Sequence, residues 1–133
     1  MSGVIFTQAK RISDLVKMED HMQHGWVREE GVVNVASETA LTIGSVMGKV
    51  TATGKYVPRD HAAADGSQVA AAVVIENITV PATTDTNVLL MVNGDAIVAE
   101  QSLVFDVAHD AGQKAAAIAE LKALGIKTKT QLY

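Results

Sequence analysis

The chain has 133 residues, room for one domain of ordinary size and too few for two. With 48% hydrophobic and 20% charged residues and a mean hydropathy of +0.19, it is too apolar for disorder and too interrupted for a bilayer span. A net charge of −4 argues against a nucleic-acid footprint, and the lack of cysteine removes disulfides, thiol nucleophiles and thiolate-held zinc.

The N-terminus, from Met1 to Gln8, has no basic flank, long apolar core or small-residue cleavage site. No signal peptide is expected, and synthesis in a cytoplasm fits best. The Asn77-Ile78-Thr79 sequon is then a chance occurrence. Val4-Ile5-Phe6-Thr7 reads as a short strand, and Ile12, Leu15, Val16 and Met22 fall near helical spacing. The charge-rich run His21 to Glu30 encloses the apolar pair Trp26-Val27, which is either a core anchor or a contact for a partner.

Residues 31–60 are strand signals punctuated by glycine. Val32 to Val35, Leu41 to Thr51 and Tyr56-Val57 are the expected strands, with isolated glycines marking bulges or barrel corners. Gly44 to Lys49 is not a phosphate loop: three residues separate the glycines, and valine follows the lysine. Beyond a small-residue loop at residues 61–67, Val69 to Ile75 forms an apolar run of strand length. Thr79 to Thr86 reads as loop. Val88 to Val92, then Asn93-Gly94, then Ala96 to Val98 predicts a tight antiparallel hairpin, because Asn-Gly suits a type I′ turn. Leu103 to Phe105 adds one short strand.

A helix is predicted over about 111–124, capped by Asp110 with Gln113 in capping-box position and stopped by Gly125. Its apolar face is read as Ala115, Ile118, Leu121 and Leu124, and Lys127 to Tyr133 as a frayed polar tail. Charge is uneven along the chain. Residues 31–113 carry three basic and nine acidic side chains, whereas residues 114–133 carry four lysines against Glu120.

Catalytic signals are thin. His21 and His24 would share a helix face, but the candidate third metal ligands, His61 and His109, fall in separate loops. Ser45 and Ser67 lack a nucleophile-elbow context. Five aromatic residues and 38 alanines and valines make a small-residue core poor in pocket walls. The fold class is mainly β (α+β), a small barrel-like domain of short strands with one C-terminal helix.

Three segments resemble the head decoration proteins of lambda-like tailed bacteriophages. They are Leu41 to Thr51, Asp65 to Glu76, and the alanine-rich Ala115 to Ile126 ending in Leu124-Gly125-Ile126. The resemblance runs from about Gly25 to Ile126, and Ala72 stands where the family often has glycine. It implies a β-tulip domain that forms homotrimers at three-fold and quasi-three-fold positions outside an expanded capsid. It further implies no catalytic residue, no cofactor and no metal, with the major capsid protein of the same phage as partner and neither nucleic acid nor membrane. The protein would be made in the host cytoplasm and end on the virion. Residues 1–30 would form a capsid-binding arm and residues 31–133 the decoration domain, with Val4, Ile5, Phe6, Thr7, Trp26 and Val27 as candidate capsid contacts. The competing expectation for the arm is packing on its own domain or a trimer neighbour. A second function class is a small ligand-binding β-barrel, and a third is a metal-dependent enzyme using His21 and His24.

Overall fold

A computed structural model of the protein describes residues 15–19, 28–93 and 96–129. Ten strands run in chain order: β1 Val16–Glu19, β2 Arg28–Val33, β3 Thr39–Leu41, β4 Val46–Lys49, β5 Tyr56–Pro58, β6 Ala70–Val74, β7 Ile78–Val80, β8 Thr86–Met91, β9 Ala96–Ala99 and β10 Ile126–Lys129. A 3₁₀ turn covers Glu100–Ser102, and the helix α1 covers Ala111–Ala123.

Five strands close a barrel in the order β2-β5-β4-β6-β8. Beside it lie a three-stranded sheet, β1-β9-β10, and a two-stranded pair, β3-β7. Strand alternation divides the apolar residues into two cores. Val33, Met47, Tyr56, Ala72, Val74, Val88 and Leu90, drawn from all five barrel strands, fill the barrel lumen. Val46, Val73, Ile75 and Met91 belong instead to an outer core with Leu15, Val98, Ala117, Leu121 and Ile126. The unbroken apolar run of β6 follows from this, because a strand covered on both faces has no solvent side to mark with polar residues.

Two glycines are required by geometry. Gly44, at φ 106°, breaks the expected Leu41-to-Thr51 strand into β3 and β4 through a turn. A Cβ on Gly31 would stand 2.6 Å from Leu90 Cδ1 and 2.7 Å from the Tyr56 ring, so its missing side chain makes room in the lumen.

Several expectations are corrected. The Asn93-Gly94 hairpin is not formed: β8 has both edges taken by β2 and β6, and β9 by β1 and β10, so the two strands enter different sheets. Residues 16–19 pair as a strand with β9 and are not part of an Ile12-to-Met22 helix. Thr79 and Val80, expected in a loop, belong to β7, and Leu103 to Phe105 reduces to one bridge between Ser45 and Val104. Lys127 to Lys129 of the expected tail continue from Ile126 as strand β10, parallel to β9. Within residues 1–30, Leu15 is buried, β1 pairs with β9 and the start of β2 pairs with β8.

The helix forms where expected, with the Asp110–Gln113 capping box present in both directions at 2.8 Å. Its buried residues are Ala117 and Leu121, flanked by partly buried Ile118 and Leu124, while Ala115 is exposed. The spacing of three had put Ala115 on the wrong side, because a straight helix drifts away from that repeat. Leu121 is fully buried, so Leu121→Ala should destabilise the protein by about 2–5 kcal/mol in denaturant titration. A loss below about 1 kcal/mol would mean that α1 is peripheral to the outer core.

Candidate functional site

Of the residues picked out by sequence, Val4, Ile5, Phe6, Thr7, Trp26 and Val27 lie outside the described residues, as do His21 and His24. Among the described residues no group of three or more histidine and carboxylate side chains is placed to hold a metal. The fold does bring His61 and His109 together, their rings crossing edge to face with centroids 5.0 Å apart. Sequence reasoning had kept them in separate loops.

A buried ion pair organises that cluster. Arg59 follows β5 and is only 4% exposed; its Nε donates to Glu120 Oε1 of α1 at 2.9 Å. The same Oε1 accepts the first backbone N–H of β6, from Ala70, at 2.8 Å. Arg59 Nη1 lies 2.7 Å from His109 Nε2, and His109 Nδ1 lies 2.6 Å from the Val107 carbonyl. A carbonyl and a guanidinium fix the tautomer: Nδ1 donates and Nε2 accepts. His61 is held in the opposite tautomer, with Nε2 against the Ala108 carbonyl and Nδ1 accepting from Gln113. Every ring nitrogen is engaged, so the chemistry this arrangement performs is clamping. It ties the segment after β5, the start of β6 and the 105–110 segment to one face of α1.

Elsewhere the loop at residues 60–68 is set by its own turns. Asp65 Oδ1 accepts from Ser67 Oγ at 2.5 Å and from Ser67 N at 3.0 Å, and these bonds hold its carboxyl below the ordinary range. The lumen of the barrel is lined by buried side chains. Shallow surface grooves remain, one of about 390 Å³ between the 3₁₀ turn and α1.

β1 begins at Val16, opposite Val98, and β10 ends at Lys129, opposite Ala99. The start of β1 and the end of β10 therefore lie at the same end of β9, two strand spacings or about 10 Å apart.

Glu120→Ala removes the partner of a buried guanidinium together with an acceptor for a backbone N–H, and should cost about 3 kcal/mol. Glu120→Gln keeps the acceptor oxygen and should lose clearly less; equal losses would show that the backbone bond carries nothing. For Asp65 the folded pKa lies below the unfolded one. Its contribution to the loop is thus complete above the ordinary carboxylate range and is lost as the pH falls through the lowered value. The Ser67 amide resonance should titrate with a midpoint below 3.8, and Asp65→Asn should abolish that titration.

Comparison with known proteins agrees with the resemblance seen in the sequence. A family model described as bacteriophage lambda head decoration protein D matches residues 5–126 of the chain. A search of curated proteins gave no match. The β-rich body with its capped C-terminal helix and the match across almost the whole chain lead to one conclusion: this protein belongs to the lambda head decoration protein D family, structural proteins of the phage capsid.

Proposed function

We infer that the protein is a cement for the expanded phage head. It binds the outside of the shell as trimers at three-fold and quasi-three-fold positions, touching the major capsid protein, and acts without catalysis or cofactor. The observation that carries this reading is the family match over residues 5–126.

The physical mechanism is multivalency. Packed DNA pushes the capsid subunits apart at their junctions. A trimer lying across three subunits makes each weak contact one arm of a clamp, and each linkage raises avidity by roughly 10²–10⁴ where the spacing allows simultaneous engagement. Only the expanded lattice has that spacing, so binding favours the expanded shell by its differential affinity.

The contacts are assigned to the arm. Val4, Ile5, Phe6 and Thr7 suit addition of a strand to a sheet edge of the capsid protein, main-chain hydrogen bonds giving affinity and alternate side chains specificity. Ordering such a segment costs about 1–2 kcal/mol per residue, so Phe6 or Trp26 must be buried on binding to offset it. Removal of residues 1–12 tests the arm while sparing the buried Leu15 and β1. The truncated protein should melt as the full chain does and bind expanded, undecorated heads at least tenfold more weakly. Decoration as tight as that of the full chain would sink the assignment.

A further inference from the structure

We propose that the trimer is built head to tail, with Val69 of one copy seated in the groove between the 3₁₀ turn and α1 of the next. This rests on the trimer reading above and names the surfaces that meet. Val69 is the one large hydrophobic side chain exposed among the described residues, at 46%. It stands immediately before β6, at the end of a loop that carries Asp60 and Asp65 and whose neighbouring cation, Arg59, is spent on Glu120.

The groove and its flank carry three lysines against one acid, Glu100. Leu103, Phe105 and Ile118 form its apolar floor, and Glu100, Gln101 and Lys114 its rim. Lys114 Nζ lies 5.9 Å from the centre of the Phe105 ring, whose other neighbour is the fixed His109 ring at 4.7 Å. Exposed Lys122 and Lys127 continue the positive side past Ile118, where a second hollow adjoins the first. An apolar knob on an acidic loop thus faces, in kind, an apolar hollow on a basic flank. Such complementarity steers encounter and fixes register.

The placement of the two patches forbids a match within one chain. Glu120 holds the Ala70 N–H, which puts Val69 on the Glu120 flank of α1. Ile118 and Lys114 lie on the other flank, since two residues of helix turn the side chain by about 200°. The helix stands between knob and hollow. Two different, complementary patches make a heterologous contact, and such contacts close into a ring when the rotation between neighbours closes. One valine in a shallow groove is a weak contact, suited to a ring that the capsid lattice completes.

The chain has no cysteine, so single-cysteine variants report contacts cleanly. Val69→Cys and Lys114→Cys proteins are to be mixed, bound to expanded, undecorated heads and treated with a short bis-maleimide. A cross-linked pair that appears in the mixture and in neither protein alone is the expected result. Trimers on the heads without that product would overturn the contact and leave the trimer standing. Val69→Cys cross-linked to itself would mean a two-fold contact and overturn it as well. Monomers or dimers of the wild-type protein on the heads would remove the trimer and the contact together. Val69→Lys gives a second readout: its melting temperature should equal that of the wild type, while head occupancy at limiting protein falls about tenfold. Unchanged occupancy would overturn the proposal.

Discussion

Strand β6 is buried on both faces, and the rest of the structure is arranged around that constraint. Ala72 and Val74 point into the barrel lumen, and Val73 and Ile75 into the outer core. A doubly covered strand has to find partners for every backbone group inside the protein, since water cannot reach them. β4 and β8 supply the ladder on either side, and Glu120 supplies the acceptor for the Ala70 N–H where the ladder gives out. A carboxylate used in this way needs a counter-charge, which is Arg59. The position of α1, the tautomer of His109 and the closure of the outer core all follow from the requirement at one strand end.

What the sequence made legible was whatever depended on neighbours along the chain. The capping box at Asp110 and Gln113, the stop at Gly125 and the doubly buried apolar run before Glu76 are local signals, and they are found where they were expected. The Asn93-Gly94 hairpin shows the limit of such reasoning. A turn preference of about a kilocalorie per mole cannot decide pairing when both flanking strands have longer partners elsewhere, six residues of register between β8 and β2 among them. β10 was missed for a related reason. Ile126 to Lys129 has one apolar residue in four, and its partner β9 lies some thirty residues earlier, with α1 between them.

The Arg59–Glu120 clasp had a signal that was not used. Arg59 is the lone cation between Lys55 and Lys114, and Glu120 is the lone acid after Asp110. Each is the odd charge in its own segment. A charge that contradicts its surroundings has a reason to be paired across the fold, because an unpaired one buried there would cost several kcal/mol. The histidines were legible as residue types only. Their meeting depends on the 60–68 loop and the 105–110 segment arriving at the same flank of α1, which no local pattern encodes.

Strand edges are unevenly distributed over the fold. A closed barrel has no free edge, so its five strands offer nothing to a passing chain. The open edges of the larger outer sheet are those of β1 and β10, the strands that lead into the two terminal segments. Closing the barrel leaves the free edges, among the described residues, to the β1-β9-β10 sheet and the β3-β7 pair. Rigidity follows from the same choice. Small alanine and valine side chains packed on both faces of β6 leave little room for rotamer change.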